Sequence, residues 1–377
     1  MGENRQNREM SAVARQTRRW ACFGVVVLAA VIVSAGRADP PAASQPNRPA
    51  SKAATSQPAS SPSAPPWTVA NLREDAQAVR PLFKSPLVQD FCAAADLLPS
   101  IAPRIVVYDV NHKTAQLLPE GAKAESQPTS KRTLELGEQY YYTTRYGTPL
   151  AYSRPLQILA EAGMTDVAGK RVLDFGYGTI GHLRMLASMG ADVVGVEVDP
   201  ILQALYSRPS DTGEIVGRGG RKGRLSLVHG SWPGDASVAK QAGGGFDLIL
   251  SKNTLKRGYI HPERKVDARM TINLGVADEA FVKAVYDALK PGGRFLIYNL
   301  CPAPSPPDKP YIPWADGRCP FDRSLMEKAG FTFVAFDQDD SIVARDMGRA
   351  LGWDQGEGAM DLKADLFGHY TLAIRPK

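Results

Sequence analysis

Between about residues 170 and 300 the chain alternates short apolar runs with amphipathic stretches, and this rhythm restricts the fold more than any other feature. "RVLDFG" reads as a buried strand; Leu183, Leu186 and Ala187 mark one face of a helix that Gly190 ends; "DVVGVEVD" is a second strand and "PILQALY" a second helix. "LSLVHG" follows as a third strand and "FDLILS" as a fourth. Phe281, Val282, Val285 and Leu289 then stripe a helix, and "GRFLIYNL" is a fifth strand after the turn Pro291-Gly292-Gly293. Strands joined by helices in this way need right-handed crossovers, which build a parallel sheet covered on both faces. "FTFVAFD", a helix around "SIVARDMGRAL" and a last strand "YTLAIR" bring the expected sheet to seven strands, an α/β, Rossmann-like, doubly wound and mainly parallel architecture.

Three segments precede that domain, which is placed at residues 151–377. In residues 1–38, "RQTRRW" is followed by "ACFGVVVLAAVIV" and small residues, the order of a charged region, an apolar region and a cleavage zone. The segment reads as a signal peptide or signal anchor. Its apolar run of about 13 residues falls short of the roughly 18 expected of a membrane span, which favours cleavage near Ala35 or Ala38. Thr17-Arg18-Arg19 looks like a twin-arginine signal. The chain is therefore expected to be exported, or anchored to a membrane by this segment. Residues 39–66 are Pro, Ala and Ser with almost no large apolar side chain, too little to offset chain entropy, and are expected to be a disordered linker. Residues 67–150 are an N-terminal cap: "NLREDAQAVRPLF" and "VQDFCAAADLL" read as short helices, "RIVVYDV" as a strand and "PEGAKAESQPTSKR" as a loop.

The formal charge of +6 is suggestive of a nucleic-acid partner, but residues 1–38 hold six Arg and two Glu, so only +2 belongs to the rest. "GRGGRKGR", from Gly217 to Arg224, lacks interleaved aromatics and is expected to be a solvated loop rather than a nucleic-acid tract. Cys22 would leave with the leader; Cys92, Cys301 and Cys319 remain, with no C-x-x-C spacing. Cys301 and Cys319 either close a disulfide or stay as buried thiols. His112, His182, His229 and His369 lack ligand spacing, and no metal site is expected.

"DFGYGTIG" carries a G-x-G-x-x-G at Gly176, Gly178 and Gly181, at the carboxyl end of the first strand, where ligands of doubly wound sheets bind. A dinucleotide would set its pyrophosphate on the following helix N-terminus. Asp174, two residues before the first glycine, would place a carboxylate near those phosphates. A cofactor with an ammonium and a sulfonium and no phosphate suits that charge better, and S-adenosylmethionine is such a molecule. Glu197 ends the second strand about 20 residues on, where an acidic side chain accepts hydrogen bonds from ribose hydroxyls of either cofactor.

D-x-G-x-G-x-x-G, the acidic second-strand end, "FDLILS", "LKPGGRFLIY" and "YTLAIRP", in that order, together resemble class I S-adenosylmethionine-dependent methyltransferases over roughly residues 140–377. The resemblance implies an antiparallel last strand and a methyl transfer to a small molecule or other acceptor. An NAD-linked oxidoreductase and a non-catalytic S-adenosylmethionine-binding protein are the alternatives. It implies that Asp174, Gly176, Tyr177, Gly178, Glu197, Ser231 and Ser251 hold the cofactor. Where the family often carries an acidic residue for adenine, this chain has "HGSW", with Ser231 to donate a hydrogen bond and Trp232 to stack. The Asn-Pro-Pro of the amide-methylating branch is absent, since Thr254 follows Asn253; Ser251 and Leu255 match the S-x-x-x-L of small-molecule members. Asp199 is expected to face outward or cap the next helix. His261 and Lys252 are candidates for a base or a substrate contact. Tyr142, Arg145 or Tyr146 would reach the cofactor's carboxylate, and Asn253, with Tyr311, Trp314, Asp316 and Arg318 of the proline-rich loop after the fifth strand, would meet substrate.

Overall fold

The computed structural model describes residues 67–121, 129–145, 147–356 and 358–377. The leader and linker, and with them every expectation about export, lie outside the described residues, as does Tyr146. No helix among the described residues is long and apolar enough to cross a membrane.

The cap begins with helices α1 (Val69–Val79) and α2 (Pro86–Ala94). Leu72, Ala76 and Val79 give α1 its buried stripe; Ser85 caps α2 by accepting the Val88 N–H, with Pro86 in the first turn where no N–H is needed. Strands β1 (Arg104–Asp109), β2 (Thr114–Leu117) and β3 (Lys131–Leu136) then form a small antiparallel sheet in the order β2-β1-β3. Part of the polar stretch read as a loop is therefore strand: Lys131 and Arg132 open β3. Helices α3 (Glu138–Thr143) and α4 (Ser153–Glu161) lead into the main domain.

That domain runs β4 (Arg171–Phe175), α5 (Gly181–Ser188), β5 (Asp192–Glu197), α6 (Pro200–Leu205), β6 (Gly213–Val216), β7 (Lys222–His229), α7 (Ala236–Ala242) and β8 (Phe246–Lys252). It continues with α8 (Arg257–Ile260), α9 (Asp278–Ala288), β9 (Leu289–Cys301), α10 (Arg323–Lys328), β10 (Thr332–Asp339), α11 (Ser341–Ala350), α12 (Leu362–Asp365) and β11 (Phe367–Ile374). The large sheet has the order β10-β11-β9-β8-β4-β5-β7-β6. Strands β9, β8, β4, β5 and β7 are parallel, whereas β11 runs antiparallel to both its neighbours. The seven expected strands are all present, the last of them antiparallel. An eighth, β6, pairs antiparallel with β7 at the edge, so the Gly217–Arg224 segment is the turn of a hairpin and the first residues of β7. Three of its four cations are paired: Arg218 with Asp96 at 2.5 Å, Arg221 with Asp90 at 3.3 Å and Lys222 with Glu214 at 3.0 Å.

Successive side chains of a strand point to opposite faces, and both faces are covered. Val172, Leu248, Leu250, Leu296 and Tyr298 join the core shared with the cap and α5, while Leu173, Ile249, Phe295 and Ile297 join the core under α7 and α9. The cap is locked to the first face by a buried ion pair: Arg104 of β1 donates to both Asp211 oxygens at 2.7 and 2.8 Å, and the Tyr141 hydroxyl donates to the same carboxylate at 2.7 Å.

Candidate functional site

The chain lays down β4, β5 and β7 to one side and then returns to place β8 on the other, so β4 and β8 flank the point where strand order reverses. A cavity of ≈ 240 Å³ opens beyond their carboxyl ends, somewhat below the roughly 300–1,000 Å³ of small-molecule sites.

Its floor is the glycine turn. Gly176 and Gly178 have φ of +70° and +58°, a region that disfavours side chains. A Cβ on Gly176 would also stand 2.9 Å from the Cβ of Thr254, whose hydroxyl donates to the Gly176 carbonyl at 3.2 Å. Glu197, at the end of β5, lines the cavity and is only 9% exposed. Its Oε2 accepts the Gly178 N–H at 3.2 Å, and its Oε1 accepts those of Val198 and Asp199 at 2.8 and 3.2 Å. Burial pushes the Glu197 carboxyl up from its ordinary value, against those N–H groups. Ser231 and Trp232 form the wall beyond β7, Trp232 packing edge-on to Phe281, and Tyr177 completes the turn. Gly176, Tyr177, Gly178, Glu197 and Ser231 thus meet at one cavity.

Asp174 and Ser251 do not. Strand parity puts Asp174 on the same face as Val172, under the cavity, where it is fully buried and bonded to His182 Nε2. His182 stacks on Tyr152 with ring centroids 3.6 Å apart; burial holds its pKa down against the Asp174 charge. The electrostatic ground for preferring a cationic cofactor therefore does not act by contact: the carboxylate is taken up inside the fold. Ser251 is likewise fully buried, and its hydroxyl accepts the Leu255 N–H at 3.4 Å, shaping the turn after β8.

A different feature separates the cofactors. The start of α5, where a diphosphate would have to sit, is occupied by the chain leading from the cap. A Cβ on Gly181 would meet Pro149 Cγ at 2.9 Å and the Tyr142 carbonyl at 3.0 Å, and the Thr179 hydroxyl donates to that carbonyl. The Ile180 N–H is satisfied by the Tyr206 hydroxyl at 3.4 Å and the Gly181 N–H by Thr179 Oγ1 at 3.4 Å. The partial positive charge of this helix end is spent within the protein.

Beyond β8, Lys252 and Asn253 line the cavity. Asn253 adopts φ +64°, and its side-chain oxygen accepts the Leu300 N–H at 2.7 Å, tying the ends of β8 and β9 together. Lys252 is 8% exposed, with Nζ 5.1 Å from the Tyr152 ring centroid. Burial first, and the Lys256 charge second, push its pKa down to about 8, with Asp174 opposing. His261 lies elsewhere: it ends α8 on the surface, and its Nε2 is 2.8 Å from Asp278. Tyr311, Trp314 and Arg318 are also outside the cavity lining. Arg318 pairs with Asp316 at 2.7 Å and Glu263 at 2.9 Å, Tyr311 lies against Arg264, and Trp314 is buried with its carbonyl accepting from Lys256 Nζ at 3.3 Å. The proline-rich loop packs on α8 instead of over the cavity. Its place is taken by Tyr259 and Arg269–Leu274, a segment of alternating polar and apolar residues that forms no strand.

Of the residues before β4, Arg145 lines the cavity and pairs with Asp199 at 2.5 Å; Asp199 in turn caps α6 through the Ile201 N–H. Tyr142 is buried, its hydroxyl donating to the Pro99 carbonyl. Cys92, Cys301 and Cys319 are free and buried, so the disulfide alternative is not formed. No group of three or more His, Cys, Asp or Glu suited to a metal occurs among the described residues.

No protein-family model and no curated protein matches the chain. Solved structures resemble it distantly. Phosphoethanolamine N-methyltransferase 2 of Haemonchus contortus, in complex with S-adenosyl-L-methionine, is 16% identical over 77% of this chain and 74% of its own, with TM-score 0.37. An S-adenosylmethionine dependent methyltransferase from Mesorhizobium loti is 17% identical over 60% of this chain and 98% of its own, with TM-score 0.33. The [4+2]-cyclase SpnF is 16% identical over 59% and 80%, with TM-score 0.35.

Proposed function

We propose that the chain is an S-adenosylmethionine-dependent methyltransferase acting on a small molecule. The observation that carries this reading is the closed helix start: at the glycine turn, Pro149, Tyr142 and Thr179 leave no exposed N–H cradle for a diphosphate, which disfavours the NAD alternative. The antiparallel β11 between β10 and β9 points the same way, because dinucleotide folds use an all-parallel six-strand order.

The residues present suit the cofactor. An ionised carboxylate has about four acceptor positions; Glu197 uses three on backbone N–H groups, which leaves one for a ribose hydroxyl. The side-chain-free turn at Gly176 and Gly178 admits close approach of the methionine portion, and Trp232 with Ser231 offers a flat wall and a hydroxyl to the base. When bound, S-adenosylmethionine supplies an electrophilic methyl on a sulfonium. The chain's own residues bind, align and exclude water; alignment of this kind is worth up to roughly 7–11 kcal/mol in a displacement at carbon.

Calorimetric titration with S-adenosylhomocysteine and with NAD tests the proposal. Binding of the first and silence from the second are expected, and tight NAD binding with no response to S-adenosylhomocysteine overturns it. From the leader we further infer export or membrane anchoring; recovery of the full chain only in the soluble cytoplasmic fraction, with an intact N-terminus, overturns that.

A further inference from the structure

Among the described residues, Lys252 is the one cation lining the cavity that forms no ion pair. Arg145 is committed to Asp199 at 2.5 Å, and Arg269 to both oxygens of Asp267. Lys252 Nζ forms no hydrogen bond or ion pair with any described residue; it has only the Tyr152 ring at 5.1 Å. The buried Asp174 charge favours the ammonium from a distance, but its Oδ2 is bonded to His182 and it forms no ion pair with Lys252. A nearly buried ammonium with no hydrogen-bond acceptor is costly unless something pairs with it.

We propose that the methyl acceptor is a small organic anion whose carboxylate, or an oxyanion of like charge, pairs with Lys252. This rests on the methyltransferase reading above. The strand order supports assigning Lys252 to the acceptor: Glu197 and Trp232 follow β5 and β7 on one side of β4, whereas Lys252 ends β8 on the other. Tyr152, Tyr259, Met270 and Ile272 wall this end, so the anion has an apolar body rather than being free phosphate. Charge balance agrees. With Arg145 paired to Asp199 and Arg269 to Asp267, the lining charges left among the described residues are Lys252 and Glu197, and the cofactor adds a sulfonium and an ammonium against one carboxylate. A cationic amine would raise an already positive site, whereas an anion neutralises it. With a pKa of about 8 the lysine is mostly charged at pH 7, and pairing holds it so.

Benzoate, benzamide and benzylamine serve as probes, titrated into the full chain at pH 7 with and without saturating S-adenosylhomocysteine. Benzoate is expected to bind at least tenfold more tightly than benzamide, and benzylamine not at all. Lys252→Met is expected to remove the benzoate preference and keep S-adenosylhomocysteine affinity within threefold, and Lys252→Arg to restore the preference in part. Thermal unfolding checks the fold: replacing an unpaired buried ammonium by Met leaves Tm unchanged or raises it. Equal binding of all three probes, a preference that survives in Lys252→Met, or a marked fall in Tm overturns the proposal. So does a Lys252→Met that weakens S-adenosylhomocysteine as much as benzoate, since the carboxylate held is then the cofactor's own. Failure of the wild type to bind S-adenosylhomocysteine refutes the methyltransferase reading instead, while the benzoate arm run without it still decides whether Lys252 is an anion site.

Discussion

Glu197→Ala removes the only carboxylate among the described residues that lines the cavity and tests the assignment of the cofactor directly. If a ribose hydroxyl takes the remaining acceptor position, the variant loses one hydrogen bond to a charged group, worth about 1.5–3 kcal/mol, or roughly 10- to 150-fold in Kd. The substitution also strips the Gly178, Val198 and Asp199 N–H groups of their acceptor, so Tm falls as well. Glu197→Gln separates the two effects: it keeps one acceptor oxygen and the side-chain volume but sets an NH₂ against backbone donors. Isothermal titration with S-adenosylhomocysteine is the assay, with Tm measured on each variant. The pH profile gives a second reading. Burial raises the Glu197 pKa above its ordinary 4.5, so the charged acceptor is lost on acidification before pH 4.5 is reached, and affinity falls at a higher pH than an exposed glutamate would give. Affinity within threefold of wild type in both variants, with Tm lowered as expected, would place the ribose elsewhere and refute the reasoning.

Gly176→Ala puts a Cβ against Thr254 at a φ of +70°; S-adenosylhomocysteine binding is expected to fall at least tenfold, and unchanged calorimetry would mean that the turn is not the cofactor's floor. Asp211→Asn leaves Arg104 charged with both groups at most 2% exposed, a loss of about 3–5 kcal/mol in urea unfolding; a loss under about 1 kcal/mol would show that the cap is held by apolar contact alone. Lys256, fully buried and bonded to the Leu300 and Trp314 carbonyls, has its pKa pushed by burial from 10.5 to about 8. Between those values the unfolded chain binds a proton that the folded one does not, so wild-type stability gains from this group as pH rises from 8 to 10.5, by about 3 kcal/mol at most. Lys256→Met should flatten that rise, and an identical slope in both proteins would refute it. His261→Ala, on the surface with Asp278, should leave S-adenosylhomocysteine binding within twofold.

Why some of this was legible and some not follows from two kinds of order. The seven strands and their carboxyl ends could be read because apolar runs in β/α alternation leave few topologies, whereas the starts of β7 at Lys222 and of β9 at Leu289, read as loop and as helix followed by a turn, could not. Glycines 176 and 178, Tyr177, Glu197, Ser231, Lys252 and Asn253 were found with them, each lying at or just past a strand's carboxyl end. The strand β6 has four residues of alternating half-buried and exposed character, "GEIV", and is held to the edge by backbone pairing, which leaves little trace in side-chain type. Nearness to a strand end sets height along the sheet but not direction. Asp174 and Ser251 are at the right height, yet the two-residue period turns one down onto His182 and the other into the β8 turn. The same parity aims Lys252 to the face of Leu250 and Tyr152, where a lysine would not be placed by hydropathy.

The loops obey neither kind of order. Tyr311, Trp314 and Arg318 were read as a lid because a long loop at the ligand end of a sheet is often one. Lys256 explains why they are not: its buried ammonium binds the carbonyls of Leu300 and Trp314, pinning the loop to β9 and α8 from beneath. A charge that burial depresses and two carbonyls retain is a tertiary fact, visible in sequence only as a lysine four residues beyond Lys252. The segment that borders the cavity instead, Arg269 to Leu274, alternates polar and apolar side chains yet forms no strand, so its pattern does not disclose its place. The end of the cavity bordered by the glycine turn and Glu197 is thus fixed by strands and readable from them; the opposite end is fixed by two buried lysines, one pinning a loop away and one lining the cavity without an ion pair, and neither role is marked in the sequence.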